Sequence, residues 1–233
     1  MTGPPKVSIV IRTHNEERWI RHCLDQVFQQ RDVDFEVILV DNHSSDKTST
    51  LAQTFPVTQV VTLDHYTPGL ALNTGASHAR AEFIAFLSAH CVPTADKWLS
   101  HLVSAFESED IAGVYGRQLP MSFSDPIDRN DLFMAFGEER RIQTKDWFFH
   151  NANSMIRRRV WEQIPFDEQA SNIEDRLWAR EVLSRGFRLV YEPEAQIFHH
   201  NGLHRTSDAE RVRRHVEIIE KVADTGPGTG PTT

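Results

Sequence analysis

The chain has 233 residues, 39% of them hydrophobic, with two cysteines and 25 Lys and Arg against 33 Asp and Glu, a net charge of −8. This length buries a sizeable core without help and excludes the disulfide-stapled miniproteins, and the acidic balance excludes nucleic acid as the main partner. No run reaches the roughly 18 apolar residues of a membrane span, and the two cysteines, with no charged-then-apolar leader, point to a reducing cytoplasm.

Val7 to Arg12 (VSIVIR) is a β-branched run that predicts a strand, and after it Trp19, Ile20, Cys23, Leu24, Val27 and Phe28 recur at helical spacing. FEVILV (Phe35 to Val40) predicts a second strand, followed by a short segment from Asp46, placed as an N-cap, to Phe55. VTQVVTL (Val57 to Leu63) predicts a third strand, and a small-residue helix over about Leu70 to Ala81 leads into a fourth, which ends in Ser88, Ala89, His90 and Cys91. A helix near Lys97 to Phe106 precedes IAGVYG. Strands and helices taking turns predict an α/β fold with a Rossmann-like, mostly parallel central sheet and helices on both faces.

From about Arg117 to His150 the periodicity fails, around Pro120, Pro126 and the cluster Trp147, Phe148 and Phe149, which predicts irregular structure over the sheet's carboxyl edge. A helix over Ile173 to Arg185 follows, then two short strands (Leu189 to Tyr191 and Ala195 to Phe198) and an amphipathic helix with Val212, Val216 and Ile219 on one face. The tail, residues 224–233, is expected to be disordered. The rest reads as one domain, 1–223, with a nucleotide-binding half at about 6–116 and an acceptor and catalytic half at about 117–223.

In an open parallel sheet, ligands bind beyond the carboxyl ends of the strands. There the chain places THNEE (Thr13 to Glu17), DNHSSD (Asp41 to Asp46) and SAHC (Ser88 to Cys91). Neither G-x-G-x-x-G nor G-x-x-x-x-G-K-[ST] is present, so a different nucleotide-binding arrangement is needed.

The segments VSIVIRTHNEERWI, EVILVDNHSSDKT, LALNTGASHARAEFIAFL, NANSMIRRRVWEQIPFDE, IEDRLWAREVLSRGFRLVYEP and AQIFHH resemble, in order and spacing, the inverting family-2 glycosyltransferases with the GT-A fold. The resemblance covers roughly residues 6–201. It implies transfer of a sugar from a nucleotide-activated donor to a hydroxyl of a glycan or glycolipid acceptor, with inversion at the anomeric carbon, in cell-surface polysaccharide or glycoconjugate synthesis. The Q-x-x-R-W signature of processive synthases is absent, which implies one sugar per encounter. A non-catalytic nucleotide-sugar-binding descendant is the alternative.

The resemblance assigns Thr13, His14, Asn15, Glu16, Asp41, Asn42, Asn73, Ser88 and His90 to the nucleotide. Beside that stands the plainer reading of Asp41 as a turn residue bonding its own backbone. From the E-D pattern Asp175 is the base that takes the acceptor's proton, with Glu174 contesting the role. The same pair also reads as the acidic first turn of a helix capped by Asn172.

Trp147, Asn151 and Asn153 are the candidate acceptor contacts. Arg157, Arg158 and Arg159 read as a solvated helix surface, or as a site for an anionic acceptor. Arg205, Arg211, Arg213 and Arg214 open a reading in which the enzyme lies peripherally on the inner face of a membrane, against packing of that helix on the domain.

Where the family usually carries D-x-D, this chain has Ser88, Ala89 and His90. A hard-cation site of oxygen ligands is therefore weakened. His90 with His199 or His200 suits Mn2+, Zn2+ or another transition metal better than Mg2+. Two other readings stay open: His90 stabilises the leaving phosphate directly, or it is packing. Cys91 reads as a small buried filler, with a Zn2+ ligand as the other reading.

Overall fold

A computed structural model describes residues 3–170 and 172–200. The C-terminal amphipathic helix and tail expected from the sequence lie outside the described residues. Alternating strands and helices give β1 (Val7–Thr13), α1 (Ile20–Val27), β2 (Phe35–Asp41), α2 (Thr48–Ala52), β3 (Gln59–Thr62), α3 (Pro68–His78) and β4 (Phe83–Ser88). A short β5 (Cys91–Pro93), α4 (Trp98–Ser104), β6 (Ile111–Pro120), α5 (Pro126–Ala135) and β7 (Arg141–Gln143) follow. The chain continues through β8 (Asn153–Arg157), α6 (Arg158–Trp161), α7 (Glu174–Ser184) and β9 (Arg188–His199).

One sheet runs in the order β3-β2-β1-β4-β8-β6-β9-β5, with β7 on β9. β1 pairs in parallel with β2 and β4, β2 with β3 and β6 with β9, while β8 is antiparallel between β4 and β6. Period-2 alternation sends Ile9 and Ile11 to one face, with Ile20, Cys23, Leu24 and Val27 of α1 and Trp98 and Leu99 of α4. Val10 goes to the other, with Leu72 and Ala76 of α3 and Trp178 and Val182 of α7. Both faces are buried, which is why these strands read as continuous apolar runs. The α1 stripe falls at i, i+3, i+4 and i+7, and each of its buried large side chains contributes at most about 1.5–3 kcal/mol.

Two expectations need correction. The region after Arg117 is regular in part: β6 extends to Pro120, and Asp125 accepts from the Ile127 amide at 2.8 Å to start α5 with Pro126 in its first turn. The two short C-terminal strands are one twelve-residue strand, β9. Pro193 is accommodated by a register shift, because Gly116 faces Glu192 while Gln118 faces Ile197. Gly116 permits this bulge: a Cβ there would lie 2.0 Å from the Ala195 carbonyl oxygen.

Candidate active site at the carboxyl edge of the sheet

Parallel register brings Thr13 beside Asp41 and Arg12 beside Ser88, so the ends of three adjacent strands stand level. The two loops that follow are joined by hydrogen bonds. His14 Nδ1 meets the Asn42 carbonyl at 2.5 Å, the Asn15 amide donates to Ser44 Oγ at 2.9 Å, and Asn15 Oδ1 accepts from the Ser45 amide at 2.8 Å. The Glu16 amide donates to Thr48 Oγ1 at 2.7 Å. Asn15 and His43 both have left-handed backbones, with φ of 54° and 50°, and Asn172, which precedes α7, has φ of 62°. Such conformations carry strain that surrounding structure must hold, and they concentrate at functional sites.

Asp41 is buried, and its carboxylate accepts from the Ser44 amide at 3.2 Å and the Ser44 hydroxyl at 2.5 Å. It therefore does shape its own turn, as the plainer reading expects. Thr13 Oγ1, Arg12 Nε and Asn151 Nδ2 are buried without a hydrogen-bond partner among the described residues.

Glu174 and Asp175 open α7, but not as the capping pattern predicts. Ile173 holds the N-cap position with no side-chain cap, so Asp175 is the second residue of the helix. Glu174 is buried, with the Arg12 guanidinium 3.6 Å from Oε1. Asp175 is partly exposed and accepts from the Asn151 amide at 3.3 Å and the Arg176 amide at 2.8 Å. Burial pushes Glu174 up to about 7, the Asp175 charge adds to this and Arg12 opposes it. Burial also raises Asp175, against the amides of Arg176 and Asn151 and the charges of Arg176 and Arg12.

The partly exposed His90 meets Glu16 Oε1 through Nδ1 at 2.8 Å, which ties the end of β4 to the loop after β1. The His199 ring lies parallel to it, centroids 5.1 Å apart at 8°. His199 is buried, bonded through Nδ1 to Gln118 Oε1 at 2.7 Å, and burial holds it well below the usual histidine range. His90, Cys91 and His199 have ligand atoms all within 4.8 Å of one another. Two imidazoles and a thiol are a donor set for a transition metal. His200 turns instead to Trp19 and Phe123, with ring centroids 5.1 and 5.7 Å away.

Of the other sequence candidates, Asn73, Asn153 and Arg157 are spent on contacts within the protein. Asn73 uses its whole amide inside the protein: Oδ1 accepts from Trp161 Nε1 and the Phe166 amide, and Nδ2 donates to the Phe166 carbonyl and to Glu168. Asn153 is fully buried, accepting from Trp98 Nε1 at 2.8 Å and donating to the carbonyls of Ala195 and Arg117. Arg157 is no surface residue: it is buried, and its guanidinium donates to the Ile111 and Ser108 carbonyls at 3.0 Å. Trp147 is half-buried against the core on the α7 side, and Asn151, next to Asp175, spends Oδ1 on the Ser154 hydroxyl. Arg12 escaped the sequence reading, although a charged residue closing an apolar strand is itself a signal.

Comparison with known proteins bears on the fold and the family. The O-antigen chain rhamnosyltransferase WbaN of Salmonella anatum is 26% identical over 212 residues, which span 84% of this chain and 67% of that protein. The succinoglycan biosynthesis protein ExoO of Rhizobium meliloti is 27% identical over 212 residues, covering 84% of this chain and 61% of that one. The chain thus spans about two thirds of the length of these relatives. The structure of the mannosyltransferase PcManGT from Pyrobaculum calidifontis, in complex with GDP-Man and Mn2+, superposes with a TM-score of 0.72 at 21% identity, covering 98% of this chain and 67% of that one. The fold is that of the GT-A enzymes. The model of the family described as "Glycosyl transferase family 2" matches residues 8–164, and the chain is a glycosyltransferase belonging to that family.

Proposed function

We propose that the protein transfers a sugar from a nucleotide-activated donor to a hydroxyl of a glycan or glycolipid acceptor, with inversion and one sugar per encounter, in the assembly of a cell-surface polysaccharide. The observation that carries this is the connection of Asp41, His90 and Asp175 along one sheet edge. Thr13 pairs with Asp41, Arg12 pairs with Ser88 and contacts Glu174, and Glu16 holds His90.

In this reading Asp41 and the loop from Thr13 to Glu16, with Asn42, bind the nucleoside. Ser88, His90 and His199 face the diphosphate. Asp175, held by the amides of Asn151 and Arg176, accepts the proton of the acceptor hydroxyl as its oxygen attacks the anomeric carbon opposite the departing diphosphate. Attack from that side inverts the centre. Asn151 and Trp147 border the acceptor's approach. Glu174 stays against Arg12 and positions Asp175.

The residues present fit a metal of borderline softness, since His90 and His199 each have Nδ1 occupied by a hydrogen-bond partner. Such an ion, when bound, supplies positive charge for the diphosphate. No described helix is long and apolar enough to cross a membrane. A glycolipid acceptor would bring the enzyme to the inner face of one as a peripheral protein.

A thermal-shift screen against UDP, GDP, dTDP and CMP, with and without Mn2+, tests donor binding, because a nucleotide at 100 times its Kd stabilises by about 2.7 kcal/mol. The matching nucleotide sugar should then be hydrolysed slowly without acceptor, releasing sugar of inverted anomeric configuration by NMR. Binding without any hydrolysis or transfer would favour a non-catalytic module.

A further inference from the structure

We infer that His90, Cys91 and His199 form one metal site with two nitrogen ligands and one sulfur ligand, selective for Zn2+-like ions over Mg2+ and Mn2+. The inference deepens the proposed diphosphate site and rests on that reading for what the metal does there. Whether the metal binds is a separate question, answered without any donor.

The strand ladder supplies the first argument. Cys91 of β5 is directly opposite His199 of β9 in an antiparallel pair, and opposed residues project from the same face. His90 immediately precedes Cys91, and its ring stacks on that of His199. Among the described residues these three bring their ligand atoms within 4.8 Å of one another. A tetrahedral zinc site with Zn–N of about 2.0–2.1 Å and Zn–S of about 2.3 Å needs ligand atoms roughly 3.5 Å apart, so the group closes by roughly 1 Å. The partly exposed His90 side chain has room to make that movement.

Hydrogen bonding supplies the second. With Glu16 Oε1 and Gln118 Oε1 as acceptors, both rings carry their proton on Nδ1, which leaves the Nε2 lone pairs for a cation. Metal-bound histidines are oriented in just this way by a carboxylate or carbonyl on the far nitrogen. A buried cysteine is most often filler, but here two imidazoles bring a nitrogen within 4.8 Å of its sulfur.

The third argument is chemical. Mg2+ takes oxygen ligands, and this triad offers none, whereas thiolate with imidazole selects Zn2+ and its neighbours. On binding, the metal–sulfur bond forms as the thiol proton leaves to the buffer. Three protein ligands leave the fourth tetrahedral position for water or a diphosphate oxygen.

The test is Co2+ titration of the chelator-treated full chain, followed by absorption. Intense tetrahedral d–d bands and a near-ultraviolet sulfur-to-cobalt charge-transfer band are expected at one equivalent, abolished by one equivalent of Zn2+ and untouched by Mg2+. Cys91→Ser should lose the sulfur band. Glu16→Gln should keep that band while Co2+ affinity falls by about 10- to 100-fold. If Cys91→Ser does not fold, the parent spectrum and Glu16→Gln decide the matter. Co2+ bound without a sulfur band, equal affinity for Mn2+ and Zn2+, or no binding of either overturns the site. Nucleotide binding that survives such a failure leaves the proposed function standing.

Discussion

The Arg12 guanidinium lies 3.6 Å from the Glu174 carboxylate, linking the penultimate residue of the interior strand β1 to the first turn of α7. It lowers the proton affinity of both Glu174 and Asp175, against burial that raises them. The ionised pair is the competent form, so kcat/KM should climb with pH through an acid limb above the ordinary carboxylate range, and the limb belongs to the pair. Arg12→Gln should move it to higher pH, and Arg12→Lys should restore part of the shift. An unmoved limb would remove Arg12 from the tuning of the site.

Linkage gives a companion result. Glu174 is raised from 4.5 to about 7 in the folded protein, so its contribution is favourable at low pH and is lost as pH rises through about 7. Glu174→Gln should therefore gain stability relative to the parent at about pH 8 compared with about pH 5, as measured by urea melts. A gain that is the same at both would show that Glu174 does not titrate in this window.

Asp175→Asn keeps the shape but cannot take a proton. Turnover should fall by about 100-fold or more with donor affinity nearly unchanged. Near-normal turnover in Asp175→Asn together with loss in Glu174→Gln would transfer the role to Glu174.

Asp41 carries two duties that mutation can separate. Asp41→Ala should weaken nucleotide binding by roughly 1.5–3 kcal/mol, the worth of a charge-assisted hydrogen bond. Ser44→Ala removes the hydroxyl that bonds Asp41 yet leaves the carboxylate in place. Calorimetry should find it close to the parent. Equal losses in the two variants would mean that only the turn matters.

Asn153 should behave as a strut. Asn153→Ala strands Trp98 Nε1 and the Ala195 carbonyl in the core, at about 1–3 kcal/mol for each group left unpaired. A lowered thermal midpoint is expected, whereas a raised acceptor KM at full stability would return Asn153 to the acceptor site.

Much of this arrangement could be read from residues alone, and the failures have physical causes. Apolar runs with helical spacing between them exposed the parallel half, because strands buried on both faces leave little else to pattern. Pro126 reads as a breaker, yet Asp125 before it is the signature of a helix start. Leu189 to Tyr191 and Ala195 to Phe198 read as two strands, and a bulge at Pro193 joins them. Asparagine type could not separate Asn151, at the site, from Asn153, two residues on and facing the core. Nor could spacing choose between His199 and His200, since adjacent residues of a strand end differ only in which face they take.

His199 meets its partners because one strand, bulged at Pro193, carries it from Arg188 to the sheet edge opposite Cys91, in a register set across eleven peptide bonds. A single residue inserted or deleted between Gln196 and His199 would turn the imidazole to the other side and present Phe198 or His200 in its place. Length variation in descendants of this chain should therefore collect in the loops around α5 and spare that strand end, and a homologue that has gained one residue there should have surrendered the histidine as well.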